Sequence, residues 1–525
     1  MDFSRKLPIG IQSFETIRTE KYLYVDKTKD IYNLVHSGMV YFLSRPRRFG
    51  KSLLISTLKA YFEGKKALFE GLAISELEKD NPQAWTPCPV LHFDFNGKNY
   101  TKEDALTKVI IDHLEQWEAI YGDEKSSYDI EERFSAVILN AEKKTGQKVV
   151  VLVDEYDKSL LETINSDLDE KNRAIFKGLF GLLKKHDAHL RFVLFTGVTK
   201  FSKVSIFSDL NQLRDISIDS SYEAICGITQ SELESTFAPE IDSVASDFGM
   251  THEECLSELK MRYDGYHFSK KMTDIYNPYS LLNAFASRYF GNYWFSTGTP
   301  SFLVRRLSEI SFDPRSFLEN IRATEDRLKD YRPENTDPIP LFYQSGYLTI
   351  TGFNPKQMSY TLGFPNAEVK YGFLNALAPS YLNVEDKPAP FNIDILDDAV
   401  ESGDTDGIKN WFSSLFALLP YPSESDIESI TEQNFQNVLF ISFVVLGKYA
   451  RTEVHSAKGR ADCIVETDDY VYIFEFKRDK SAKAALAQIE EQGYAKPYEA
   501  DKRKLFKIGV NFSSKERNIT EWEVR

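Results

Sequence analysis

Tyr41-Phe-Leu-Ser-Arg-Pro-Arg-Arg-Phe-Gly-Lys-Ser52 decides how the first half of the chain is read. The apolar run Val40 to Leu43 reads as a buried strand, and Leu53 to Phe62 carries apolar residues at helical spacing. Between them runs a basic loop ending in Gly50-Lys51-Ser52. A strand, a loop and Gly-Lys-Ser opening a helix form the context in which backbone N–H groups cradle a polyphosphate. Arg47, Arg48, Phe49 and Gly50 then line the cradle, Lys51 reaches the β- and γ-phosphates, and the Ser52 hydroxyl ligates Mg²⁺. The general pattern asks for glycine five positions before Gly50, where this chain has Arg45, followed by Pro46. The competing reading is a plain basic loop capping a helix.

A second stretch bears on that choice. Val149-Val-Val-Leu-Val153 has the composition of a strand buried on both faces of a parallel sheet, and it runs into Asp154-Glu155-Tyr156-Asp157. A carboxylate at the tip of such a strand lies beside the phosphate loop. Asp154 can hold Mg²⁺ through water while Glu155 orients an attacking water. A third run, Leu190 to Phe195, ends in Thr196-Gly197, where a polar residue can sense a γ-phosphate. An acidic turn after a strand is common by itself; all three signals in this order point to an ATP-binding P-loop domain.

Leu7-Pro-Ile-Gly-Ile-Gln-Ser-Phe14, Tyr24-Val-Asp-Lys-Thr28, Arg45-Pro-Arg-Arg-Phe-Gly-Lys-Ser52, Val153-Asp-Glu-Tyr-Asp157 and Tyr263-Asp-Gly-Tyr-His-Phe268 resemble the bacterial AAA-ATPase-like family. The resemblance covers almost the whole chain and implies that Arg45 is the family's own variant of the loop. It also implies a C-terminal PD-(D/E)XK nuclease-like domain, and assembly with copies of itself into rings or dimers.

The final segment carries matching residues. Gly459-Arg-Ala-Asp-Cys-Ile-Val465, a turn at Thr467-Asp-Asp469 and Tyr470-Val-Tyr-Ile-Phe-Glu-Phe-Lys477 read as a strand pair. Glu475 and Lys477, two apart, project from one face, and Phe474 and Phe476 from the other. In a hairpin Asp462 comes alongside Glu475, and two converging carboxylates suit Mg²⁺ or Mn²⁺. Lys477 beside them can position a water for attack on a phosphodiester. Asp, then Glu-x-Lys on the next strand, resembles the PD-(D/E)XK motif, with Ala461-Asp462 where its name has Pro-Asp. Gln488, with Tyr494, matches the Gln-containing helix motif of that superfamily, and Glu432 and Glu453 are weaker candidates. A paired surface carboxylate and lysine on an edge strand is the bland alternative. It explains poorly why Glu475 sits in so apolar a strand.

At 525 residues the chain exceeds one core, and 42% hydrophobic with 27% charged residues is ordinary globular composition. No apolar run reaches membrane-spanning length; Val438 to Gly447 reads as a buried helix. The N-terminus lacks a signal-peptide core, and four scattered cysteines suit a reducing, cytoplasmic setting without zinc. A net charge of −15 argues against indiscriminate coating of nucleic acid. From Glu453 onward there are 14 basic and 14 acidic residues, so the acidic excess lies upstream. Lys502-Arg503-Lys504 with Lys507 offers a local phosphate patch or a solvated charged turn.

The expected fold class is α/β: a P-loop NTPase parallel sheet over 1–221, a helical, winged-helix-like region over 222–370, a helical linker over 371–426, and a PD-(D/E)XK nuclease-like α/β domain over 427–525. Tyr22 to Val25 is expected as a short strand, Lys29 to His36 as a helix, and residues 338–370 as a helix followed by a hairpin. Lys200 or Lys203 can act on the nucleotide, and Arg191 or Arg214 on a neighbour's; any surface cation would read the same. Tyr263 to Phe268 is expected as a packed aromatic turn. The expected function is an ATP-coupled, metal-dependent nuclease using ATP and Mg²⁺ (or Mn²⁺ at the nuclease site). Its partner is nucleic acid, DNA ahead of RNA, with no membrane. The rivals are a nucleotide-dependent switch with a vestigial nuclease fold and a restriction-like subunit that needs a second chain.

Overall fold

Five strands pair in parallel, and three of them, the apolar runs at Val40, Val149 and Leu190, are almost wholly buried, as expected for the centre of a sheet covered on both faces. The five are β1 (Val40–Ser44), β2 (Val90–Asp94), β3 (Val149–Asp154), β4 (Leu190–Gly197) and β5 (Arg214–Asp215), in the order β2-β3-β4-β1-β5. Every residue of β1 and β3 is buried. This computed structural model describes residues 5–122, 128–164, 166–201, 207, 210–298, 321–329, 331, 337–370, 372–373, 393–417, 442–443, 449–455, 460–498, 501–516 and 518–525. Among these no helix is long and apolar enough to cross a membrane.

The helices Ala105–Tyr121 and Ile130–Thr145 are amphipathic, with Val109, Ile110 and Leu114 buried on the first and Phe134, Val137 and Ile138 on the second. Asp129 starts the second by accepting from the Glu132 N–H, and Gly146, at φ +69°, ends it. Lys29 to His36 lies inside the helix Thr28–Ser37. Tyr22 to Val25 does not become a strand: Tyr22 makes one isolated bridge, to Lys6. Both sides of β1 are taken by β4 and β5, so the stretch finds no strand edge there.

A short antiparallel ribbon, β6 (Ile228–Thr229) with β7 (Ile275–Tyr276), frames the next region. Thr229 with Glu232 and Thr251 with Glu254 form capping boxes that start the helices Gln230–Phe248 and His252–Tyr263. Leu233, Phe237, Ile241, Leu259 and Leu281 make its core. The expected hairpin is β9 (Thr349–Asn354) with β10 (Ser359–Gly363), and β8 (Ile321–Thr324) joins it in the order β8-β10-β9. Gly346, at φ +91°, closes the helix Ile339–Ser345 ahead of the hairpin.

The described residues fall into two compact units, one reaching to Gly298 and resuming over 321–369, the other from Lys370 onward. The described part of the expected 222–370 region thus shares a unit with the parallel sheet, except for Lys370. The described part of the expected linker shares the other with the nuclease-like segment. That second unit holds β11 (Tyr449–His455), β12 (Arg460–Glu466), β13 (Tyr470–Arg478), β14 (Lys504–Ser513) and β15 (Asn518–Val524) in sequence order. Only β13 and β14 are parallel, and the helix Ala482–Gln492 makes the crossover between them. It lies close to the sheet at Gly509, where a Cβ would run into the Ala482 carbonyl and Leu486. Phe443 and Trp522 pack on Phe474, and Phe416 on Phe512. Glu432, the expected boundary between 426 and 427 and nearly all of Val438 to Gly447 lie outside the described residues.

Candidate functional site

Gly50 takes φ +95°, a left-handed conformation that glycine adopts at little cost, and the helix Lys51–Phe62 starts after it. Arg45, where the general pattern has glycine, is 1% exposed. Its guanidinium donates to the carbonyls of Ser44 (2.9 Å), Ser217 (2.8 Å), Tyr222 (3.1 Å) and Glu223 (3.4 Å), and lies 4.1 Å over the Phe268 ring. Its side chain is thus turned away from any phosphate and ties the loop to the segment after β5.

The neighbouring loop residues are held in the same way. Pro46 abuts Gly346, where a Cβ would stand 2.7 Å from its ring. The Arg47 carbonyl accepts from the Trp294 indole (3.0 Å), and Arg48 lies 4.9 Å over Tyr279. Phe49 packs edge-on against Tyr266 and Phe268, 4.7 and 5.5 Å between centroids, and its carbonyl accepts from the Gly227 N–H. The aromatic turn Tyr263 to Phe268 therefore packs on the phosphate loop itself.

Arg47, Arg48, Gly50, Lys51, Ser52 and Glu155 line one cavity of about 340 Å³, together with Gln12, Asn96, Lys158 and Tyr279. An apolar cavity of about 100 Å³ shares Pro8, Gly50, Leu53, Pro278 and Leu282 with it and adds Tyr24, Val25, Phe49 and Ile225. The Lys51 ammonium is turned back onto the carbonyls of Arg45 (2.9 Å) and Pro46 (3.0 Å).

Asp154 and Thr196 are not on the wall of that cavity. β4 lies between β1 and β3, so Asp154 meets Thr196 first, whose hydroxyl donates to it at 2.6 Å. Asp157, quoted in the sequence motif but given no role there, is 1% exposed and accepts from the N–H groups of Val198 (3.0 Å) and Thr199 (2.6 Å). Burial pushes its carboxyl up to about 7. Gly197 leaves it room, since a Cβ there would stand 2.6 Å from the carboxylate, and its carbonyl accepts from the Arg45 N–H. The tips of β3 and β4 and the start of the loop are thus joined. Lys200 pairs with Asp215 (2.6 Å) and Arg214 with Asp219 (2.7 Å); Arg191 is exposed, and Lys203 lies outside the described residues.

In the second unit, Cys463 pairs with Phe474 across β12 and β13, which brings the preceding Asp462 beside the following Glu475. Asp462 accepts from the Phe476 N–H at 2.8 Å. Glu475 is 1% exposed; one carboxylate oxygen pairs with Lys477 (2.9 Å), and the other, Oε2, is buried without a partner. Burial first, and then the charge of Asp462, raise its proton affinity above the ordinary carboxylate range. Burial also raises the Tyr494 phenol; a hydrogen bond with Gln488 opposes this, and the charges of Glu475 and Asp462 add to it. Glu453 lies on β11. Among the described residues no group of three or more His, Cys, Asp or Glu side chains is gathered to hold a metal. Two carboxylates with one orphaned buried oxygen nevertheless fit Mg²⁺, which keeps much of its water shell and takes one or two protein carboxylates.

The charged run after the crossover helix is committed elsewhere. Arg503 pairs with Asp501 (2.6 Å) and Glu466 (2.8 Å), Lys507 pairs with Glu490 (2.8 Å), and Lys504 lies over Phe506. Paired this way, Arg503 and Lys507 make a weak phosphate patch.

A family model described as "Predicted AAA-ATPase" matches residues 8–207, and one for the PD-(D/E)XK nuclease superfamily matches residues 430–522. The chain is similar to "Uncharacterized protein in vnfD 5'region" of Azotobacter chroococcum mcd 1, at 36% identity over 536 residues and 99% of each chain. With a parallel P-loop sheet, a C-terminal mixed sheet carrying an Asp/Glu-x-Lys pair, and likeness to a relative along its whole length, the chain belongs to the AAA-ATPase-like proteins that end in a PD-(D/E)XK nuclease-superfamily domain.

Proposed function

We propose that the first unit binds and hydrolyses ATP at the loop Arg45–Ser52, that the second cleaves nucleic-acid phosphodiesters at Asp462, Glu475 and Lys477, and that nucleotide state gates cleavage. The observation that carries the nuclease half is the orphaned Oε2 of Glu475, since a buried, unpaired carboxylate oxygen is costly without a ligand. For the nucleotide half, the polar cavity at the loop adjoins an apolar one suited to a base.

The residues then divide the work. Lys51 exchanges the Arg45 and Pro46 carbonyls for the β- and γ-phosphates. Ser52 would ligate Mg²⁺, Asp154, behind the cavity wall and oriented by Thr196, would hold it through water, and Glu155 would orient the attacking water. In the second unit Asp462 and Glu475 hold a divalent ion, which when bound supplies charge stabilisation at a phosphoryl oxygen. Lys477 positions and helps deprotonate the attacking water, and Gln488 orients the substrate with Tyr494.

Lys51→Ala is expected to weaken ATP binding about 10- to 100-fold, the worth of one charge-assisted hydrogen bond or slightly more. Equilibrium titration with ATP checks this, and wild-type-like affinity in the variant removes the phosphate-loop assignment.

Mg²⁺ binding is expected to release protons near pH 7, because metal-free Glu475 keeps a proton at pH values where an exposed glutamate is ionised. The sign also applies to stability. With its folded-state pKa raised, this carboxyl's contribution is fully present below the ordinary range and is lost as pH rises through the raised value. Titration calorimetry of Mg²⁺ in two buffers of different ionisation enthalpy counts the protons, and a count of zero at this site contradicts the assignment.

One observation favours a second reading, a nucleotide-dependent switch with a vestigial nuclease fold. The net charge is −15, and Arg503 and Lys507 are already paired with carboxylates. ATP binding without cleavage of single-stranded DNA, duplex DNA or RNA, with Mg²⁺ or Mn²⁺, selects that reading.

A further inference from the structure

The phosphate loop shows a one-sided pattern of hydrogen bonds. The carbonyls of Arg45 and Pro46 accept from Lys51, that of Arg47 from the Trp294 indole, that of Phe49 from the Gly227 N–H, and that of Gly50 from the Leu54 N–H. Among the described residues, no acceptor is bonded to the N–H groups of residues 47 to 50. Arg48 and Gly50 are exposed, Arg47 half-buried and Phe49 buried, and a run of N–H groups open to a cavity makes a concavity that suits an anion.

At the Arg47–Arg48 peptide a side chain from outside the loop sets this polarity. In a planar trans peptide the C=O and N–H point in opposite directions. The Arg47 carbonyl is aimed at Trp294, which is absent from the cavity lining, and the Arg48 N–H on the same peptide points the opposite way, with Arg47 and Arg48 both on the cavity wall. Arg48 itself takes φ +67°, a conformation that non-glycine residues rarely hold unaided. Trp294 is in turn fixed. Its backbone N–H donates to Glu368 (2.6 Å), which also accepts from the Ser280 hydroxyl (2.7 Å), and its ring packs 5.3 Å from Tyr347.

We infer that Trp294, held by Glu368, is a positioning residue for nucleotide phosphates: its indole N–H orients the Arg47–Arg48 peptide so that the Arg48 N–H donates to the bound polyphosphate. This rests on the nucleotide-binding reading above and adds the residues that shape the cradle from outside the loop.

The test uses the full chain, with ATP, ADP and adenosine displacing a fluorescent ADP analogue. Trp294→Phe keeps an aromatic ring against Tyr347 while removing the N–H donor together with one ring of the buried indole, a loss that by itself would affect all three ligands alike. It is expected to weaken ATP and ADP about three- to tenfold, the worth of one net hydrogen bond, and to leave adenosine unchanged. A structural defect would weaken all three alike, and that outcome overturns the inference, as does wild-type affinity for ATP and ADP in the variant. Wild-type protein that binds none of the three removes the nucleotide reading itself, a result distinct from failure of the variant alone. If Trp294→Phe does not fold, Glu368→Gln carries the same comparison: selective loss of ATP and ADP supports the inference, and equal affinities overturn it.

Discussion

Replacing Arg45 by glycine, the residue that the general phosphate-loop pattern has at that place, is expected to destabilise the first unit by about 3–5 kcal/mol. The side chain donates to four backbone carbonyls, and three of them lie 172 to 178 residues away. Without it those buried acceptors lose their donor, and the space between Phe268 and the loop is left empty. Each effect alone is worth about 1–3 kcal/mol, and partial relaxation keeps their sum below simple addition. Arg45→Lys is expected to recover part of the loss, because a single ammonium cannot span the carbonyls that a planar guanidinium reaches. Urea unfolding followed by a probe in the first unit measures both variants. A change below about 1 kcal/mol for the glycine variant would mean that water replaces the guanidinium and that the tie is dispensable.

Asp462→Asn is expected to lower divalent-dependent phosphodiester cleavage at least about 100-fold, since even partners that only orient metal ligands cost 10- to 100-fold when lost. ATP affinity is expected to stay at its wild-type value, because the substitution leaves the phosphate loop untouched. Stability is expected to hold or rise. Asparagine keeps an oxygen for the Phe476 N–H, and the like charge that raises the Glu475 proton affinity is gone. A more stable and inactive variant is what a site that places two carboxylates together for function produces; a less stable and inactive one points to a structural role. Equal cleavage by wild type and variant on every substrate ends the nuclease proposal.

Much of this architecture was legible as local pattern. Val40 to Leu43, Val149 to Val153 and Leu190 to Phe195 are strands because they are apolar on both faces, and Gly50-Lys51-Ser52 opens a helix as its spacing implied. The juxtaposition of Asp462 and Glu475 followed from the two-residue period of a short hairpin. β8 was not legible, because its alternation runs for only four residues and its partners in β10 lie 35 to 41 positions on. The fate of Arg503 was open as well, since a basic run reads the same whether it faces water or two carboxylates.

The sequence by itself determined the two kinds of sheet, the phosphate-loop signature and the Glu-x-Lys pair, because each is written within a few residues and obeys a backbone period. Only the tertiary structure decided that Arg45 is a tie, that β4 sets Thr196 against Asp154, and that Trp294 holds the Arg47 carbonyl from 247 residues away. Those roles depend on which distant donor reaches which buried carbonyl or carboxylate, and hydrogen bonding over about 3 Å is settled by packing, which no periodicity along the chain records.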